Sequence, residues 1–484
     1  MLHESDLRKF TRCDKYFWYS KQNSLPFFSF ATIQYDIFQL AAEYLGLENV
    51  FRGKRNDDPL LALEAYEKNQ PLLEARIAYR DLRVKIPCFV RKNHKNILYL
   101  IYSQCYPKVS EAQKAADLIE VMAKNKMHVD EIYLIHINAQ YTRDDELNVF
   151  ECLTLSDEFY NDKNKKCGKA SELIEQQRRD LDKILDAIET LPNMSQVQKK
   201  RSSICTSHYK CEYFKECFPD NQHDTSILNL VQSSKKYECE EMGITDMAMV
   251  HGDEIEATRI QYAQVMAAKK RGLFIDKMAL KTWVDKVSYP ITYLDFEWQT
   301  FAYPPYKGMK PYDVLVFQYS MHIEEKGQKL RHEQFIGDGD CRIAFIEDLL
   351  SKIPKEGTIL VFNAQGAEAL RLQQLAKQFS QYEEQLRSVW ERMVDLALPF
   401  SSGLIYDTRM AGEYNLKKLL SLFSDLSYDE LEINQGLLAV KKYQELEATH
   451  AEEVKKALFE YCGMDTYAEY VLFHFLKDKI SETM

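Results

Sequence analysis

Two acidic residues stand inside a run that otherwise reads as a buried β-strand. In SYPITYLDFEWQT, Asp295 and Glu297 alternate with Leu294 and Phe296. Strand side chains point alternately to the two faces of a sheet, so both acids share one face and their apolar neighbours take the other. Paired carboxylates on a core strand are costly unless something positive meets them. Whatever fold carries this strand must supply that partner. Two later stretches offer more acid in the right settings. VFNAQGAEALRL places Glu368 just after a buried strand, at a helix start, and YCGMDTY places Tyr461 and Asp465 at i and i+4, on one helical face. Four acids and a tyrosine meeting from separate elements would suit two divalent ions, Mg²⁺ or Mn²⁺, which favour all-oxygen ligands. Such a pair clamps the attacking and leaving oxygens of an in-line phosphoryl displacement. Each pattern alone is commonplace, because solvated acid pairs and Tyr-x-x-x-Asp spacings occur by chance. Their order and their elements are what single them out.

The surrounding pattern predicts an α/β protein. SDLRKFTRCDKYFWYSKQ reads as a short amphipathic helix, followed by a helical stretch near 33–46. Residues 74–104 read as successive antiparallel strands with a turn at Lys92–Asn96. ADLIEVMAKNKMH is a helix, EIYLIHINAQY a strand, and 171–191 a single helix stopped by Pro192. Residues 221–288 read as a polar helical connector. From 289 onward a strand, a hairpin partner, and alternating helices and strands predict a mixed sheet flanked by helices, closed by one long helix at HAEEVKKALFEYCGMDTYAEYVLFHFLKDKI. The expected domains are therefore 1–220, 221–288 and 289–484.

Charge and cysteine usage narrow the class. Acidic and basic residues balance over 1–220, so the net charge of -11 falls on the remainder. That acidity argues against a sequence-wide DNA coat, but not against a nuclease, whose bound metal reverses the local sign. No apolar run reaches the ~18 residues of a membrane span, and MLHESDLRKF lacks a signal-peptide core, so a cytoplasmic protein with no membrane partner is expected. The 11 cysteines are odd in number and do not suggest a disulfide framework. Three of them, Cys205, Cys211 and Cys217, are evenly spaced in a loop able to wrap a soft metal or an iron–sulfur cluster. His208 and Cys13 are candidates for a fourth ligand. Equally, all could be small buried hydrophobes.

LDFE, VFNAQGAE and YCGMD resemble, in that order, the three motifs of DEDDy-type 3′→5′ exonucleases on an RNase H-like fold. More closely, residues from about 225 to 480 resemble a bacterial family of unknown function that joins a RecB-like, PD-(D/E)XK front domain to such a nuclease. LDFEWQT, PPYKGMKPY, VFQYSMH, MVDLALPF, LSYDELEINQG and YCGMDTYA carry that likeness. The resemblance implies that Asp295, Glu297 and Asp465 ligate metal and that Tyr461 orients the attacking water. Glu368 matches the second-motif acid, although one residue is inserted after Asn363 and a Phe is lost; Asp395 is a fallback.

SDLRKFTRCDKYFWY with the late cysteine loop resembles RecB-like nucleases that carry an iron–sulfur cluster. This implies a [4Fe–4S] cluster, or zinc, held by Cys13, Cys205, Cys211 and Cys217. That fold's own nuclease motif is missing: Pro87 stands where an Asp is needed, and Leu100, Ile101 and Tyr102 replace Glu-x-Lys. A catalytically silent front domain is expected. It could grip nucleic acid through Arg91, Lys92 and Lys95, or Lys199, Lys200 and Arg201, unless these are solvated surface charges. The sequence thus points to a metal-dependent 3′→5′ exonuclease acting on DNA or RNA 3′ ends, single-stranded DNA first. The alternative is an inactive nucleic-acid-binding or scaffolding protein with decayed nuclease domains.

Overall fold

The computed structural model describes residues 1–23, 31–191, 203–205, 210–219 and 223–482. Pro192, Lys199, Lys200, Arg201 and His208 lie outside the described residues. Within them the protein is a mixed α/β chain that splits into two compact units, residues 1–199 with 301–313, and residues 200–300 with 314–484. No helix among the described residues is long and apolar enough to cross a membrane.

The amino-terminal unit is built on seven strands: β1 (Leu2–His3), β2 (Phe51–Arg52), β3 (Leu72–Tyr79), β4 (Leu82–Lys92), β5 (Lys95–Tyr102), β6 (Glu131–Ile137) and β7 (Leu153–Ser156). They run in the order β2-β3-β4-β5-β6-β7, with β1 paired to β4. The β3–β4–β5 meander is antiparallel, and β6 joins β5 in parallel after the helix Ala112–Lys124. Alternation sorts the core to two faces. Leu98 and Leu100 pack under that helix, whereas Ile97 and Tyr99 pack with Ile37, Leu40 and Ala41 on the other side. A small hairpin of β8 (Glu158–Tyr160) and β9 (Lys166–Lys169) completes the unit's strands.

Several predicted helices are shorter than the pattern suggested. The first is two helices, Glu4–Arg12 and Asp14–Gln22, because Cys13 between them is extended (φ -168°, ψ 122°). The stretch near 33–46 narrows to Ile37–Tyr44, capped by Asp36 accepting from the Phe38 and Gln39 amides. Residues 171–191 also break in two. Asp180 accepts from the Lys183 amide at 3.2 Å and starts a fresh helix at Leu181, while neighbouring Arg179 forks onto Asp117 at 2.8 and 2.6 Å.

The carboxyl-terminal unit begins with short helices and 3₁₀ turns around Phe214, Phe218, Leu228 and Met247. Strand β10 (Leu273–Ile275) pairs with the late β16 (Ile405–Asp407). Its main sheet contains β11 (Ile291–Thr300), β12 (Val314–Glu324), β13 (Arg331–Ile336), β14 (Thr358–Val361) and β15 (Met393–Asp395), in the order β13-β12-β11-β14-β15. Strand β12 runs antiparallel to both β11 and β13, and β11, β14 and β15 are parallel. Leu294 and Phe296 of β11 face a core made with helices Arg342–Lys352 and Glu368–Gln378. Ile291 and Tyr293 face the 30-residue helix Glu452–Ser481 through Leu472, Phe473 and Leu476. Asp295 and Glu297 continue this second face, so β11 delivers both acids toward the long helix.

Phe296 is 2% exposed and meets Phe345 edge-on at 5.2 Å. Phe296→Ala is expected to destabilise the carboxyl-terminal unit by ~3–5 kcal/mol. Phe150→Ala, at a ring 64% exposed, should stay within ~0.5 kcal/mol of wild type. Urea unfolding midpoints followed by circular dichroism check the pair.

Candidate metal centre

Strand β11, the start of helix Glu368–Gln378 and the middle of the long helix bring five carboxylates together. Asp295, Glu297 and Asp465 each offer an oxygen, all within 4.8 Å of one another. Glu297 is 8% and Asp465 6% exposed. Glu368 is 2% exposed, and one of its oxygens, Oε2, has no hydrogen-bond partner. The backbone amides of Glu368 itself and of Phe296, between the two strand acids, favour its charged form. The inserted residue after Asn363 therefore does not carry Glu368 away from the strand. The turn that returns it is unusual. Asn363 takes a left-handed φ of 71°, and Gly366 lies so close that a Cβ there would meet the Asn363 side chain at 2.8 Å. Asp395 braces the turn by accepting from the Asn363 amide at 2.9 Å and the Ala397 amide at 2.8 Å.

The fifth acid is Glu469, one helical turn beyond Asp465 and 1% exposed. The Phe362 amide, just past β14, favours its charged form, while Oε2 is unpartnered. Sequence reasoning passed over Glu469, although a fourth-residue repeat of acid after Asp465 was visible. It also passed over three groups that surround the acids. Tyr428, inside the LSYDELEINQG word, donates to Asp465 Oδ1 at 2.6 Å. The Cys462 thiol donates to Asp295 Oδ2 at 3.4 Å. Lys417, on helix Leu416–Phe423, places Nζ 3.1 Å from the Tyr461 hydroxyl and lies over the Tyr428 and Tyr461 rings at 5.0 and 4.8 Å. Nothing in NLKKLL marked that lysine out.

Burial and crowding act on every ionisable group here. Desolvation, then the facing charges of Asp465, Glu297 and Glu368, holds Asp295 well above the usual carboxylate range. Glu297 is raised in the same way by burial and Asp465, against the pull of Lys417. Burial pushes Glu368 up to about 8. It lifts Asp465 to about 6, restrained by the Tyr428 hydroxyl and Lys417. Glu469 is raised by burial and then by Asp295, Glu368 and Asp465. Tyr461 is raised by burial and by Asp465, so its phenol keeps its proton. Lys417 is lowered by desolvation, which the acids only partly offset. All-oxygen donors, a bare buried oxygen on Glu368 and unrelieved negative charge fit hard divalent cations such as Mg²⁺ or Mn²⁺.

The remaining candidates are not all brought together. Cys205, Cys211 and Cys217 are half-buried around the Phe214–Phe218 cluster of the carboxyl-terminal unit. Cys13 belongs to the amino-terminal unit, between its first two helices. The three loop cysteines do not form a 4.8 Å ligand group; among the described residues only the Asp295 trio does. In the amino-terminal unit, Pro87, Leu100, Ile101 and Tyr102 line a cavity of about 90 Å³ with Glu4, Lys85 and Lys114. Of the three hairpin cations, Arg91 stacks over Tyr66 at 3.8 Å and Lys95 is paired with Glu131, while Lys92 is exposed.

Residues 292–415 match the family described as "Domain of unknown function (DUF2779)". Neither the curated proteins nor the solved structures contain a significant match to the chain. The matched segment covers Asp295, Glu297 and Glu368 and stops just short of Lys417.

The raised carboxyls fix a sign. The folded, metal-free protein keeps protons that the unfolded chain releases above about pH 4. Its stability should therefore fall as pH rises from the ordinary carboxylate range through about 6 and about 8. Thermal unfolding in chelator across this range checks it, and Glu368→Gln should flatten the upper part of the fall. A flat wild-type profile would contradict the electrostatics described above.

Proposed function

We propose that the protein is a metal-dependent 3′→5′ exonuclease of the DEDDy type, hydrolysing phosphodiester bonds of nucleic acid. The observation that carries this reading is the closure of Asp295, Glu297 and Asp465 to within 4.8 Å from two distant elements, with Tyr461 one turn before Asp465. The five-stranded β13-β12-β11-β14-β15 sheet, antiparallel then parallel, fits the RNase H-like fold implied by the motif resemblance. The family match covers the first two motifs.

Bound divalent cations would supply Lewis-acid charge at the scissile phosphate. Asp295, Glu297, Glu368 and Asp465 would hold them. Tyr461 acts as a neutral phenol. Its hydroxyl, kept in place by Lys417, orients the attacking water and does not remove its proton. Lys417 adds a fixed positive charge beside the acids, where it can oppose the charge that develops on the phosphate oxygens. Single-stranded DNA is the first substrate and RNA the second. The amino-terminal unit, which lacks acids where a RecB-like site needs them, contributes binding and not chemistry. The RecB-like resemblance implies that Cys13, Cys205, Cys211 and Cys217 would hold a [4Fe–4S] cluster, with zinc the competing occupant, although the three loop cysteines do not form a closed ligand group.

With Mn²⁺ or Mg²⁺, 5′-labelled single-stranded DNA or RNA should shorten from its 3′ end. Asp295→Ala and Asp465→Ala should abolish the ladder. Tyr461→Phe should slow it by ~10²-fold or more. Equal cleavage by wild type and both alanine variants would sink the assignment. Anaerobically purified protein should contain iron and sulfide; stoichiometric zinc without iron would replace the cluster by a zinc site.

A further inference from the structure

We infer that Glu469 is a metal-holding residue, forming with Glu368 and a shared Asp295 a second cation subsite beside the Asp295–Glu297–Asp465 trio. The inference rests on the metal-dependent reading above and adds a protein ligand that the three motifs do not contain. Three observations support it. Glu469 stands at i+4 from Asp465, so the long helix turns both carboxylates toward β11. It is 1% exposed, and the charges it faces are those of Asp295, Glu368 and Asp465. Glu368 and Glu469 are 2% and 1% exposed, and each leaves Oε2 buried with no donor. A buried carboxylate oxygen without a donor is an expensive feature. Two of them, on the two acids that flank the free end of β14, mark a place built for a cation.

The division of labour follows from which charges meet. Glu297 faces Asp465, Lys417 and Glu368; Glu469 faces Asp295, Glu368 and Asp465. Asp295 interacts with Glu297 and Asp465 of the first trio and with Glu368 and Glu469 of the second, which makes it the shared ligand in this inference. Only the first trio closes to 4.8 Å among the described residues, so the second subsite is the more open and the weaker.

The test is Mn²⁺ stoichiometry on the full-length protein at pH 8, read from the electron paramagnetic resonance of free Mn²⁺ during titration. Wild type should bind two ions, and Glu469→Gln one. Glutamine keeps the size of the side chain and one acceptor oxygen, so a residue that merely packs beside the turn would leave the count at two and overturn the inference. Wild-type protein that binds no Mn²⁺ would overturn both this inference and the exonuclease reading. Two ions in wild type and in Glu469→Gln would overturn this one alone. Should the glutamine variant fail to fold, Glu469→Asp keeps the charge but withdraws it by one methylene. A second ion weakened at least tenfold in Glu469→Asp supports the assignment, and an unchanged second ion removes it.

Discussion

Repulsion among buried carboxylates governs the carboxyl-terminal unit. At the 4.8 Å limit that encloses Asp295, Glu297 and Asp465, two full charges at an effective dielectric of ~20 repel by ~3.5 kcal/mol. The protein answers locally with neutral donors and one cation. Tyr428 gives Asp465 a 2.6 Å hydrogen bond, and Cys462 gives Asp295 a weaker one. Lys417 is the ammonium that Asp295, Glu297 and Asp465 all attract, and it is itself destabilised by burial. These partners do not neutralise five acids. The upward shifts of Asp295, Glu297, Glu368, Asp465 and Glu469 reflect what is left over, and divalent cations would displace the protons these acids keep in the metal-free protein.

The same constraint explains the local architecture. Strand β14 pairs with β11 only from Ile291 to Tyr293, so β11 runs on past its parallel neighbour as it reaches Asp295. The Phe296 and Phe362 amides near this gap favour the charged forms of Glu368 and Glu469. Asp395 is the counterpart on the next strand. Its Oδ1 serves the Asn363 and Ala397 amides, which makes it a brace for the turn that presents Glu368.

Much of this was legible in the chain. Period-two alternation in LDFE gave the shared face of Asp295 and Glu297, because pleating leaves a strand no other choice. The 3.6-residue period did the same for Tyr461 and Asp465 on a helix that runs unbroken from Glu452 to Ser481. The hairpin turn between Lys92 and Lys95 was equally plain. Helix ends were less legible. Cys13 and Asp180 break two predicted helices through backbone geometry and a cap, features too local for a hydrophobic pattern to register. Lys417 and Tyr428 were hidden for another reason: they reach the acids from segments 30 to 50 residues upstream of the third motif, and only tertiary packing determines which surface lysine or loop tyrosine turns inward.

Glu368 is the instructive case, because the departure from the expected motif concerned spacing and the structure concerns reach. An insertion in a strand-to-helix turn changes the path between the elements, but the helix must still begin where its apolar face, through Leu372 and Leu375, meets the core beneath β11. That packing fixes the position of the first helical turn. The extra residue is absorbed in the turn, with Asn363 driven to positive φ and Gly366 pressed against it. Asn tolerates the left-handed region better than most residues, and a side chain at Gly366 would collide with it. Core packing therefore decides where the acid stands, and the loop accommodates. A motif whose register is lost in the sequence can keep its carboxylate at the centre when the elements on either side are anchored independently.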